Sequence, residues 1–452
     1  MIKFTAKPGH YLYSVGALKV VKGGCGSKPF KHGLRSAPNL KPGSTRIFFL
    51  FVLLVCAAAQ AQDAVRYSIA SERAAESRKR SRAETYYNLD LDPVKLRFST
   101  SVGTEYNDNV NLSSIAPLED YLIRPQVGVR AYWPVSDRNT LDVNFNLGYE
   151  YYFNGARPSR VTVTGDEDSG LFFDIYVGDF AIELHDRFSL SQETSSDPSI
   201  SGIADIFRLE NTLGTAVTWD LNKLVLRFDY DHLNYIPLDS VNKRLAHESD
   251  LGSLEAAASL NPALTTGLQL GGGFTRYEEP DLSDNQHVSL GPFVRYQVGQ
   301  AVDIKAHFGY ATYWFDASNY ITNQTSLSSF YADITLSHRP TERTSQSLNF
   351  GQSLSTDINS SPIETIYVRY SATFNIIRYW SFRPSLTLES GTESRGLVTE
   401  NFTRYGAGLS VSRQITEKLA GNVSYLFLQK NSDVAAFDYN QNRLVLDLIY
   451  QF

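Results

Sequence analysis

The chain has 452 residues, a formal net charge of −6 and a slightly negative mean hydropathy of −0.25. Tyrosine (27) and phenylalanine (26) are abundant, and only residue 1 is methionine. Helical membrane proteins need apolar spans of about 20 residues, and nucleic-acid-binding proteins carry a basic surface, so the composition argues against both classes. The length alone would suggest several soluble domains, but the composition favours one large β fold.

Residues 1–61 are predicted to be an export leader that is removed. The one long apolar run, "IFFLFVLLVCAAA" (47–59), has 13 residues and is followed by a small-x-small site, "AQA" (59–61). This run is too short for a transmembrane helix but fits a signal peptide; the alternative is a buried core helix. Residues 1–46 hold nine Lys or Arg and no Asp or Glu. They are either an overlong basic n-region or the product of a misassigned start.

Removal of the leader has two chemical consequences. It leaves a net charge of about −15, which further disfavours nucleic acid as a partner. It also removes Cys25 and Cys56, so the mature chain is expected to have no disulfide, no thiolate metal site and no thiol nucleophile. Lipidation at Cys56 is disfavoured because Val55 is bulky where a small residue is needed. We expect no cofactor and no metal.

Residues 62–94 are predicted to be a flexible periplasmic segment. They contain "SERAAESRKRSRAE" (71–84), which mixes both signs of charge with little apolar content. Such composition does not form a packed core. The alternative is a plug or a helix that docks a partner.

From residue 95 to residue 452 the chain repeats apolar–polar alternation of period two, which is typical of β-strands. In "TLDVNFNLGYEYYF" (140–153), for example, every second residue is apolar. The pattern predicts 18 strands, although weak alternation in 248–260 and 344–356 also allows 16. The predicted strands begin near residues 95, 121, 140, 168, 180, 207, 224, 248, 264, 286, 302, 326, 344, 363, 380, 401, 419 and 439.

Three features favour a membrane barrel over a soluble sandwich. The strands are longer than the 5–6 residues or so usual in soluble sheets and match a tilted membrane crossing of about 9–11 residues. Short turns alternate with longer polar loops, which are predicted at 107–120, 154–166, 192–206, 236–246, 278–285, 316–325 and 431–438. The four tryptophans fall at strand ends, where an aromatic belt would lie: Trp133, Trp219, Trp314 and Trp380.

We therefore predict an all-β protein, an antiparallel up-and-down barrel spanning residues 95–452 in the bacterial outer membrane, with both termini in the periplasm. An open sheet edge in lipid would leave backbone groups unpaired at several kcal/mol each, so the last strand must pair with the first. The chain ends "LVLDLIYQF" (444–452). An alternating last strand that ends in Phe452 resembles the signal that the barrel assembly machinery recognises.

The opening of the barrel resembles the outer-membrane β-barrel porin families associated with exopolysaccharide biosynthesis and export. The resemblance lies in "VGTEYNDNVNLS" (102–113) and in the pattern Arg124, Pro125 and Gly128 of the next strand. It implies an outer-membrane barrel and a role in exopolysaccharide export or carbohydrate permeation. It supplies no active-site residues.

With the apolar phase facing lipid, the other phase faces the lumen and is rich in charges of both signs. Burying so many unpaired charges would be very costly, so they either line water or pair across strands. Barrels of 16–18 strands are wide enough for an aqueous channel, and a passive mixed-charge pore is predicted. The predicted inward residues are Arg97, Glu105, Arg124, Arg130, Asp142, Glu150, Asp174, Glu183, His185, Arg187, Arg227, Asp229, Asp231, Glu255, Asp303, Lys305, His307, Arg369, Arg383, Glu389, Arg404, Arg443 and Asp447.

Three finer features of the lumen follow from the same phase. Asp229 with Asp231 would favour cations or sugar hydroxyls, or would pair with a neighbouring arginine. Inward tyrosines would stack on sugar rings or only fill the lumen: Tyr132, Tyr152, Tyr176, Tyr313, Tyr331 and Tyr367. The loop 192–206 is long enough to fold inward as a constriction.

Two other functions remain open at this point. A barrel hydrolase would need a hydroxyl nucleophile beside a histidine and a carboxylate. His185, His232 and His247 each adjoin an acidic residue, but sequence neighbours in a strand point to opposite faces. A non-conducting structural or receptor barrel is the other alternative. The expected partners are outer-membrane lipid, the assembly machinery, and polysaccharide or small solutes.

Overall fold

The computed structural model describes most of the predicted barrel and little of the chain before it. The described residues are 61–62, 87–136, 138–164, 169–192, 198–203, 205–317, 326–375, 377–395 and 398–452. The predicted leader, except for Ala61, and most of the predicted flexible segment lie outside them. Within the described residues, no helix has the length and apolar character needed to cross a membrane.

Eighteen antiparallel strand positions form one closed sheet, as the period-two pattern predicts. Both strands with weak alternation are present, so the count is 18 rather than 16. In chain order the positions are β1 (Val94–Asn107), β2 (Asp120–Ser136), β3 (Asn139–Tyr152), β4 (Arg160–Thr164 with Gly170–Val177), β5 (Phe180–Ser191), β6 (Arg208–Asp220), β7 (Leu224–Pro237), β8 (His247–Asn261), β9 (Leu264–Tyr277), β10 (Asn285–Val298), β11 (Val302–Phe315), β12 (Ser326–Thr341), β13 (Thr344–Thr356), β14 (Pro362–Phe374), β15 (Trp380–Arg395), β16 (Val398–Gln414), β17 (Leu419–Ser432) and β18 (Tyr439–Gln451).

One strand position, β4, is built from two segments. Arg160–Thr164 pairs with the loop-side half of β3, and Gly170–Val177 pairs with its turn-side half. The predicted loop 154–166 is therefore wrong for residues 160–164, which continue the sheet. Gly170 has φ +146°, and a Cβ there would overlap the backbone of Asp186 on β5, so the re-entry point requires glycine.

The barrel closes where β18 pairs with β1, in a register that runs from Arg443 opposite Asn107 to Gln451 opposite Ser99. Beyond the end of β18, the short strand Leu89–Leu91 folds back on β1 and pairs with its first residues. The Asn88 side chain bonds both the N–H and the carbonyl of Phe98, at 3.1 and 2.9 Å. The edge of β1 is thus covered along its length, which satisfies the requirement for closure.

Connections at the two ends of the barrel differ in length. One end of the barrel has only short links, and we call it the turn end. It holds the connections after the even-numbered strands, from β2 onward. The opposite end, which we call the loop end, carries the long loops, as predicted. The β15–β16 connection is an exception because Arg395 and Val398 are already paired. A two-residue strand, Ala61–Gln62, lies parallel to Ser353–Leu354 on β13.

The two faces of the sheet have opposite character. On β3 the side chains of Leu147, Tyr149 and Tyr151 are 42–49% exposed, whereas Asp142 in the alternate phase is buried. Three tryptophans lie at the turn end (Trp133, Trp219 and Trp380) and Trp314 lies at the loop end. An apolar outer wall with aromatic residues at both ends is the surface of an outer-membrane barrel, and it places the protein in the bacterial outer membrane.

Candidate functional site in the barrel lumen

Charges of the inner face form a chain of ion pairs across the seam. Arg443 on β18 bonds Glu105 on β1 through Nε at 2.9 Å, and Arg124 on β2 bonds the same carboxylate at 3.3 Å. Arg124 also reaches Glu150 on β3, at 3.2 Å between Nε and Oε1. Four strands are therefore linked by side chains of alternating sign, and Glu105 is buried between two arginines.

A second network lies on β14, β15 and β16. Glu389 accepts from Arg369 Nη2 at 2.8 Å and from Arg404 Nε at 2.7 Å. Nearby, Lys430 on β17 and Glu400 on β16 form a 2.7 Å ion pair whose side chains are both 0% exposed. Such a pair is tolerated only because each charge compensates the other in a dry environment.

Further ion pairs lie on other strands of the inner face. Arg130 bonds Asp142 at 3.0 Å, and Arg227 bonds Asp229 at 2.8 Å on its own strand. His185 on β5 reaches Asp231 on β7 at 2.6 Å by passing over Gly214 of β6. A Cβ at Gly214 would overlap both side chains, so the contact depends on glycine. Asp229 and Asp231 therefore each bond a basic side chain of the barrel, and they do not form the predicted cation site.

The predicted inward residues therefore fall into two groups. Most lie in ion pairs. The sequence pattern missed Arg295, which bonds Glu255 at 3.1 Å, and both members of the Lys430–Glu400 pair. In the part of the chain that the structure describes, six of the predicted residues take part in no ion pair: Arg97, Arg187, Asp303, Lys305, Arg383 and Asp447. Asp447 accepts a 3.3 Å hydrogen bond from Asn422.

The three candidate histidines are bonded to carboxylates or to the backbone in the described part of the chain. His185 lies between Asp231 and Glu183, His232 Nδ1 bonds Asp250 at 2.9 Å, and His247 Nδ1 bonds the carbonyl of Leu245. Among the described residues, no serine or threonine hydroxyl bonds any of these three rings. Nor does any group of three or more His, Cys, Asp or Glu side chains there have the arrangement of a metal site.

Four of the six predicted inward tyrosines are buried against the inner face of the barrel. Tyr313 and Tyr331 are buried in a small apolar cluster with Leu354, and Tyr367 donates to Asp333 at 2.6 Å. Tyr152 is also buried, beside Glu150. Buried rings offer no face to a passing sugar, so these four do not make the predicted stacking path in this conformation.

An apolar cluster, which we call the mouth cluster, lies at the loop end of the lumen: Leu112, Ile200, Ile206, Tyr235, Leu245, Leu428 and Tyr439. Tyr235 belongs to β7, whereas Leu428 and Tyr439 belong to β17 and β18 on the far side of the barrel. The remaining members come from the loops after β1, β5 and β7. The mouth cluster therefore spans the lumen, and the described residues of the predicted loop 192–206 do fold inward.

Hydrogen bonds hold these loops together across the opening. Gly202 donates its N–H to the carbonyl of Leu112 at 2.9 Å, and Ser201 Oγ donates to the carbonyl of Phe437 at 3.1 Å. Asp205 pairs with Arg160 at 2.8 Å. Burial raises the pKa of the Asp205 carboxyl, and Arg160 opposes that rise. The loop 192–206 is thus bonded to β4 and to the loops after β1 and β17.

The turn end differs, because a cavity of about 840 Å³ there is lined by the ends of β15 to β18 and by residues of the turns after β12 and β14. Its wall includes Ser381, Arg383, Asn422 and Asp447. The lumen is therefore polar along its wall, crossed by an apolar cluster at the loop end and bordered by a cavity at the turn end.

The sequence matches no protein-family model and no curated protein. Solved structures with a similar fold include Pseudomonas aeruginosa OccK5 (OpdH), at 12% identity and a TM-score of 0.46, covering 79% of this chain and 98% of that one. Pseudomonas aeruginosa OpdK matches at 12% identity and a TM-score of 0.47, covering 79% of this chain and 99% of that one. These values assign no solute to this chain, and the barrel assignment rests on its own strand pairing.

Proposed function

We propose that the protein is an outer-membrane channel for polar solutes and that the described conformation is its closed state. The observation that carries the proposal is the inner wall, where charges of both signs follow the strands of a closed 18-stranded barrel. Barrels of this size enclose water. A barrel filled only for structural purposes would need far fewer charges, because each buried pair has a desolvation cost.

The solute class is the finer part of the proposal. The resemblance of residues 102–128 to exopolysaccharide-associated barrels supports a saccharide, moved either out of the cell as polymer or into it as small sugars. No catalytic step is proposed, since His185, His232 and His247 bond no serine or threonine hydroxyl among the described residues.

Planar-bilayer recording tests the channel. Folded protein should give discrete but infrequent conducting steps, because the mouth cluster must open first. The second candidate, a non-conducting structural or receptor barrel, is favoured by that same cluster. An absence of steps both from the native protein and from a variant with a weakened mouth cluster would overturn the channel and leave the second candidate.

We further propose that Phe452 is read by the assembly machinery rather than needed for the finished barrel. It lies past the end of β18, with its ring 50% exposed and 5.2 Å from that of Tyr450. Deleting Phe452 should lower the yield of folded barrel in cells several-fold, while refolding in detergent stays unchanged. An equal loss in both settings would show a structural role instead.

A further inference from the structure

Four arginines line the turn-end cavity: Arg343, Arg378, Arg383 and Arg413. Arg413 lies over the ring of Trp380, with its Cζ 5.0 Å from the centroid, and the other three come from different segments. Arg383 lies on the inner face of β15, and Arg343 and Arg378 lie in the turns after β12 and β14. Asp447 is the one carboxylate among the described residues that line this cavity. The cavity therefore has an excess of positive charge, unlike the ion-paired wall above it.

These arginines also lack the acidic partners that other inner-face arginines have. In the described part of the chain, none of Arg343, Arg378 and Arg383 is within ion-pair distance of a carboxylate. Arg378 lies over the ring of Tyr379, with its Cζ 4.7 Å from the centroid. Glu342 and Glu417 occur in neighbouring turns but do not line the cavity. The guanidinium groups are available to a ligand.

Backbone hydrogen bonds hold the turn that carries Arg378. Asn375 donates its N–H to the carbonyl of Arg343 at 2.8 Å, and Gln414 donates to the carbonyl of Tyr379 at 2.9 Å. The segments that carry Arg343 and Arg378 are thus bonded to each other. A site held in this way loses less entropy when it binds a ligand.

We propose that the turn-end cavity binds the carboxylate groups of acidic saccharides. Anionic sugars are then the solute class of the channel, so the inference rests on the proposed function. Arginine suits this task because its planar fork bonds a carboxylate through two parallel hydrogen bonds. The side chains of Asn375, Ser381, Ser412 and Asn422, which also line the cavity, supply partners for sugar hydroxyls. The volume of about 840 Å³ accommodates a short oligosaccharide.

Binding to folded protein in detergent tests this without requiring conduction. The probes are glucuronate, trigalacturonate, inorganic phosphate and neutral glucose, titrated by isothermal calorimetry. The variant Arg343→Gln/Arg378→Gln/Arg383→Gln should weaken glucuronate and trigalacturonate binding at least about tenfold. A control that removes the same charge from exposed arginines elsewhere, Arg138→Gln/Arg276→Gln/Arg339→Gln, should bind as the native protein does.

Trigalacturonate should bind more tightly than glucuronate, and glucose should bind far more weakly than either. Equal affinity for glucose and glucuronate, unchanged binding in the triple variant, or binding of phosphate without glucuronate would each overturn the proposal. Failure of binding in a protein that still conducts would remove this inference alone. Binding by a protein that never conducts would support the site and remove the channel.

Discussion

The double substitution Leu112→Ser/Ile206→Ser is expected to raise the open probability of the channel at least about tenfold. Both side chains are 0% exposed in the mouth cluster, and they come from different loops. Truncating a large buried apolar side chain costs about 2–5 kcal/mol, and 1.4 kcal/mol is about a tenfold change in an equilibrium. The substitutions destabilise the closed state and not the open state, because these two side chains are exposed when the mouth is open.

Single-channel recording in planar bilayers measures this change, and a matched variant controls for it. Leu118→Ser/Val241→Ser makes the same kind of change in the loops after β1 and β7, at residues that are 43% and 82% exposed. That control should keep the native open probability. Equal behaviour of the two double variants would show that the mouth cluster does not close the channel.

The substitution Glu105→Gln is expected to lower the free energy of unfolding by about 3–5 kcal/mol, the usual cost of removing one partner from a buried ion pair. Glu105 has a side chain only 3% exposed and bonds both Arg443 and Arg124. Its loss removes the carboxylate that Arg443 and Arg124 share at the seam between β1 and β18. Urea unfolding of the barrel in lipid vesicles, followed by tryptophan fluorescence, measures the change.

Glu248→Gln is the matched control, since it removes the same charge from an exposed pair. Glu248 lies 3.6 Å from Arg276, and the two side chains are 47% and 61% exposed. Exposed pairs contribute less than about 1 kcal/mol, so this variant should unfold close to the native midpoint. A Glu105→Gln midpoint as near to native as that of the control would mean that the seam network does not stabilise closure.

The strand positions and their two faces could be predicted from the sequence because alternation is a local property. The 18 strand starts and the exposed phase of residues 140–153 both follow from it. The interruption of β4 could not be predicted in this way. Residues 160–164 are too short for a pattern, and only their pairing with β3 identifies them as strand.

The candidate sites depend on contacts between distant parts of the chain, which alternation does not encode. The isoleucines at 200, 203 and 206 were a usable signal, because a solvated loop has little reason for apolar residues at that spacing. Their partner Leu112 could not be inferred. The same holds for His185 and Asp231, which meet across an intervening strand.

Pairing of the first strand with the last tests the closed cylinder most directly. Thr104 and Leu446 lie opposite each other across the seam, and both face outward. The variant Thr104→Cys/Leu446→Cys should therefore form an intramolecular disulfide in folded protein, seen as a shift in non-reducing electrophoresis. Thr104→Cys/Leu448→Cys, two residues out of register, should not. Equal cross-linking in both variants, or in neither, would contradict the closed barrel.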